Sequence, residues 1–215
     1  MTTQSRVNKL VGQGTDALGD GVESASTGLL EKHGRIGLEL LETLRIKNGF
    51  YAFASALHVL PLATYASSAT TLETWNDPKA WACSYGSLIQ GAPLFFAEDV
   101  FGGQFCITGE VIARFDPETG KFQGVASGVD EWAGLILEDR DFQTGFPLAE
   151  EWASKFGPIP VGQRLLPKKP FLCGGDFAVS NLFLMDATRG MRLRGEIAQQ
   201  IALLPDGTEI EIEYA

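Results

Sequence analysis

Few side chains in this 215-residue sequence could do covalent or acid–base chemistry, and their spacing argues against most of it. The two histidines, His33 and His58, fall on different elements. No HExxH, CxxC or paired metal-ligand spacing occurs, so zinc hydrolysis and thiol exchange have no local signature. Gly12-Gln13-Gly14 lacks the preceding strand, the third glycine and the Lys-Ser/Thr of a phosphate loop. Ser127 is not in a nucleophile elbow, because neither Gly124 nor Gly128 lies two places from it. The adjacent carboxylates Glu98 and Asp99 remain, as an acid–base pair or a cation ligand set. On a strand they would project to opposite faces, which separates them; in a loop they could converge. His58, in the apolar run FYAFASALHVL, reads as a core residue bonded to a carbonyl. Cys83, Cys106 and Cys173 are odd in number and widely spaced, and read as buried thiols of a reducing compartment. The sequence therefore reads as non-enzymatic, with no cofactor and no metal.

The elements that would carry these groups are clearest in the middle of the chain. Residues 104–107 and 111–115 are short runs rich in β-branched and aromatic residues, with Gly109 between them for a tight reversal. Asp116-Pro117-Glu118-Thr119-Gly120 is a turn: Asp bonds its own backbone ahead, Pro presets φ, and Gly takes a positive φ. Residues 121–125 return as a strand. Ser127 then caps a helix with Asp130 or Glu131, and Val129, Trp132, Ala133 and Ile136 share one face of it. Phe101-Gly102-Gly103 reads as a turn or bulge.

Around this centre the periodicity predicts a fold of α+β class, a mainly antiparallel sheet with surrounding helices. Residues 1–26 are polar and glycine-rich and read as a flexible lead to a domain over 27–215. Residues 27–44 have helical spacing, and residues 50–60 read as a buried helix ended by Pro61. Trp75 and Trp81 should pack on the sheet. Residues 146–156 form a helix with Pro147 early and Gly157 at its end. Pro158, Pro160, Pro167 and Pro170 mark an extended loop, and residues 182–185 a buried strand. Residues 189–203 form a helix with Arg192, Arg194 and Glu196 facing water. Residues 208–214 alternate cleanly, placing Glu209, Glu211 and Glu213 on one strand face and Ile210, Ile212 and Tyr214 on the other.

Charge narrows the partners. The net charge is −10, which disfavours direct nucleic-acid binding. Twelve acidic residues face only four basic ones between positions 95 and 155. Such a surface either keeps the protein soluble or steers a basic protein partner toward it. No apolar run reaches the ~20 residues that span a bilayer. With no basic and apolar secretory leader, the expected location is cytoplasmic.

The order of pieces in the central stretch carries a resemblance. Phe95 to Phe105, the turn Phe115-Asp116-Pro117-Glu118-Thr119-Gly120, the Ser127–Trp132 helix start and the segment after Gly174-Gly175 together resemble the SUKH superfamily. That superfamily includes the yeast cell-wall-assembly regulator and many bacterial immunity proteins. The resemblance implies an immunity protein that binds a cognate toxin, delivered by contact-dependent or type VI machinery, and neutralises it by occlusion. The toxin would be basic, such as a nuclease. Candidate partner-binding residues are Glu98, Asp99, Glu110, Asp116 and Glu118 near the sheet's loops, with Glu209, Glu211 and Glu213 as a second face. The alternative is a regulatory or scaffold module. The oligomeric state is open.

Overall fold

The computed structural model describes residues 5–22, 27–62, 70–205 and 208. Ser5 accepts a hydrogen bond from the Asn8 amide and starts helix α1 (Arg6–Gly12), which buries Leu10 and Val11. The ammonium of Lys47 donates to the carbonyls of Val11, Gly14 and Thr15, at and just past the end of α1. Gly14 lies against the Phe50 ring, with no room for a Cβ. This part of the expected flexible lead is thus packed onto the domain. Helices α2 (Gly28–Glu31) and α3 (Gly34–Ile46) follow, divided at Gly34, whose φ is +61°. The predicted single helix is interrupted there.

Residues 50–60 form a hairpin, not the expected helix. Strand β1 (Phe50–Ala52) pairs antiparallel with β2 (Leu57–Val59) through a turn in which Phe53, Ala54 and Ser55 all have positive φ. A short, continuously apolar run does not distinguish helix from buried strand by periodicity. Pairing with a later strand decides it, because β2 lies between two neighbours and every residue of both strands is buried.

Helix α4 (Leu72–Trp75) is capped by Thr71 and followed by a 3-10 segment, Ala82–Leu88. Then come β3 (Leu94–Asp99), β4 (Gln104–Thr108), β5 (Val111–Asp116) and β6 (Lys121–Ala126). The sheet is a six-stranded antiparallel meander in the order β1-β2-β3-β4-β5-β6. The β4–β5 and β5–β6 reversals fall at Gly109 and Gly120, both with positive φ. Trp81 packs edge-on against Phe95 and Tyr85 on one side of the sheet. On the other side, Phe96 and Phe105 meet Trp132 of helix α5 (Val129–Glu138). Helix α5 starts from Gly128, while Ser127 donates from its hydroxyl and its amide to Glu131, the second of the two expected caps.

Helices α6 (Arg140–Thr144) and α7 (Phe146–Phe156) are joined at left-handed Gly145. The proline-rich stretch, expected as loop, includes β7 (Gln163–Pro167), which pairs with β8 (Leu182–Asp186). Only Pro167, at its end, lies in that strand. Helix α8 (Ala187–Ile201) closes the described chain. A second, smaller core forms where Trp152 and Ala149 of α7 meet Val100, Leu165 and Leu182. The class is α+β in one domain. Among the described residues no helix is long and apolar enough to cross a membrane. The alternating segment with Glu209, Glu211 and Glu213 lies outside the described residues.

Candidate functional site

Glu98 and Asp99 end β3 and do project to opposite sides, but both are buried, at 2% and 1% exposure. Both carboxylates are turned into the protein, and Asp99 borders a small hollow described below. The register aligns Tyr51, His58, Glu98 and Gln104 across β1 to β4. His58 Nδ1 lies 2.9 Å from Glu98 Oε1, and Arg164 Nη2, from β7, lies 2.8 Å from the same oxygen. Burial pushes the His58 imidazole below its usual pKa, against the Glu98 hydrogen bond, so the neutral ring donates its Nδ1–H to the carboxylate. Burial would raise Glu98, but Arg164 and His58 outweigh it and hold the carboxyl at about 2. Gln104 donates to Glu98 Oε2 and accepts from the Trp75 indole, and Tyr51 stacks on His58 at 4.2 Å. His58 and Glu98 are the histidine–carboxylate pair that general acid–base chemistry would want, yet they are sealed inside the protein. Their arrangement balances charge in the core.

Asp99 holds the turn that follows it. Its Oδ1 accepts the Phe101 and Gly103 amides, each at 2.8 Å, and its Oδ2 accepts Arg114 Nη2 at 2.6 Å. Burial raises its carboxyl, against the pull of Arg114 and the two amides. Arg114, on β5, is partly exposed and forms the floor of an open cleft of about 1050 Å³. The cleft runs between β5–β6 and helices α5–α7. Phe142 from α6 and Phe177 from the β7–β8 connection stand at its rim, 72% and 69% exposed. The Arg114 guanidinium lies 5.8 Å from the centres of both the Phe105 and Phe142 rings. Gln143 and Gln123 supply amides, and Asp116 and Asp141 supply exposed carboxylates.

A smaller hollow of about 260 Å³ adjoins the cleft and shares Phe101, Arg114, Asp116 and Phe177 with it. Phe171 and Phe177 stack at 4.0 Å there, with Phe101 edge-on to both. Glu118 accepts the Phe171 and Leu172 amides at 3.1 and 2.7 Å, so this half-buried residue ties down the aromatic loop. Burial raises its carboxyl, while those amides lower it.

The acidic residues singled out from sequence therefore divide. Asp116 lines both hollows, and Glu118 anchors the wall of the smaller one. Glu110 is exposed at the β4–β5 turn and lines neither of them. The aromatic rim was not singled out from sequence. Phe142 and Phe177 look like ordinary apolar residues until the fold leaves them uncovered. Arg194, expected in water, is 3% exposed and donates to the Phe101 carbonyl at 2.6 Å. Cys106 alone of the three cysteines is buried; Cys83 is exposed and Cys173 half-buried.

No family model matches the chain, and no curated protein is similar to it. Among solved structures, the chain is similar to the crystal structure of Atu4351 from Agrobacterium tumefaciens, with a TM-score of 0.56 and 13% identity. The match covers 86% of each chain. At that identity it bears on the fold alone.

Proposed function

We propose that this protein is a non-catalytic binding module whose aromatic-rimmed cleft takes a segment of a basic protein partner. In keeping with the SUKH resemblance of its sequence, the partner is a cognate toxin that it neutralises by occlusion. One observation carries the reading: Phe142 and Phe177, two aromatic side chains of one open cleft, both stand largely exposed. Exposed aromatic side chains gathered around one concavity are the kind of anchor that dominates protein interfaces. Asp116 and Asp141 would pair with Lys or Arg side chains flanking the inserted segment, and the net charge of −10 would speed its approach. The burial of His58 and Glu98 favours binding over catalysis.

The test compares the wild-type protein with the Phe142→Ala/Phe177→Ala double variant as bait in the native host. A captured protein is then reconstituted from purified components over a salt series. The expected result is a 1:1 complex with a basic toxin domain, weakened about tenfold or more by the double variant, with toxin activity restored. A purified partner held equally by both baits would reject the cleft. A partner with no activity to neutralise would leave the scaffold function in place of immunity.

A further inference from the structure

A separate pocket, about 460 Å³, opens on the side of the molecule formed by α2, α4 and the lead into β3. Trp75, Leu94 and Phe95 form its floor, and Leu29 and Ile89 its sides. Among the described residues its lining includes no carboxylate, in a protein with ten more acidic than basic charges. The charged side chain at its edge is Lys32, which has no carboxylate partner among the described residues. The His33 imidazole also lines the pocket and makes no capping hydrogen bond to α3. The wall at Gly91-Ala92 is held with both residues at positive φ, +74° and +47°, a conformation that costs energy at alanine and gathers at ligand sites. Asn76 is fully occupied, bonding the Leu72 and Phe95 backbones, so it shapes the wall and leaves the recognition to the rim.

We propose that this pocket binds a small amphiphile with an apolar chain and an anionic head, the chain lying along Leu29 and Ile89 and the head on Lys32 and His33. Pockets of this size with mainly apolar linings and a few convergent polar groups are the usual form of small-molecule sites. The cation at the edge of an otherwise apolar lining selects the sign of the head group. Burial and the neighbouring Lys32 charge lower the His33 pKa, so at neutral pH His33 offers a hydrogen bond and Lys32 the charge. The site is separate from the cleft and does not depend on the toxin reading.

Cys83 supplies the readout, because its exposed thiol lines this pocket. The half-buried Cys173 lies elsewhere and serves as an internal control. Alkylation by iodoacetamide is followed at each cysteine by peptide mass spectrometry, with decanoate as the probe below its micelle concentration and decanol as its uncharged counterpart. Decanoate is expected to slow Cys83 alkylation saturably and leave Cys173 unchanged. The surface substitution Lys32→Glu should weaken decanoate about tenfold or more while leaving decanol unaffected, as loss of a charge-assisted contact does. The inference is overturned if Cys83 reacts at the same rate with and without decanoate. It is equally overturned if decanol protects as well as decanoate and Lys32→Glu changes neither.

Discussion

Glu98→Gln tests the central ion pair with little change of shape. It removes the charge that balances Arg164 and leaves a guanidinium at 1% exposure with no carboxylate beside it. Breaking a buried pair from one side costs about 3–5 kcal/mol. The depressed carboxyl gives a second measure. The gap between 4.5 and about 2 corresponds to about 3 kcal/mol of stability. Because the folded pKa lies below the unfolded one, that stability is complete above pH 4.5 and is lost as pH falls through 2. Urea denaturation followed by tryptophan fluorescence should show Glu98→Gln destabilised by about 3–5 kcal/mol at pH 7. In a chain of this length that lowers Tm by roughly 10 °C. Between pH 5 and pH 3 the gap from wild type should narrow by about 2 kcal/mol. Adding Arg164→Met should recover much of the loss, since removing both charges removes their desolvation together. A Glu98→Gln protein within about 1 kcal/mol of wild type at pH 7, with a gap indifferent to pH, would refute the reasoning.

Three further outcomes are expected. His58 is held neutral by burial, so it adds stability that is full above about pH 6.5 and declines below it, as the unfolded chain takes up a proton; His58→Gln should flatten the stability profile between pH 6.5 and 5 in the same denaturation assay. A Cβ at Gly103 would sit 2.4 Å from Asp99 Oδ2, so Gly103→Ala should cost about 1–3 kcal/mol by thermal unfolding. Phe142→Ala should change stability by no more than about 0.5 kcal/mol, because its ring is mostly in solvent; a larger loss would mean the ring supports the fold and is not kept for a partner.

The candidate site was legible only in part. Asp116 and Glu118 were found through their place in a turn motif, and both border the hollows described above. Glu98 and Asp99 looked like surface acids because a carboxylate pair is usually solvated. The cations that compensate them, the buried Arg164 and the half-buried Arg114, come from other strands, β7 and β5. One signal was present: β3 reads LFFAED, and a carboxylate inside a strand buried at every residue must have a cation. Arg194 was misplaced because helix periodicity alone leaves a long cationic side chain free to reach water. Here its guanidinium is drawn inward by the Phe101 carbonyl.

What the sequence by itself determined is what neighbouring residues decide among themselves. The β4–β5–β6 meander follows from Gly109 and the Asp-Pro-Glu-Thr-Gly turn, and α5 and α7 follow from their caps and apolar stripes, because each signal acts within a few residues. Tertiary structure alone decided that residues 50–60 become a hairpin. The free energy of that choice lies in pairing β2 with β3, some forty residues away. It also decided where charge is buried and which aromatics stay uncovered. Those outcomes depend on groups that meet only after the chain has folded.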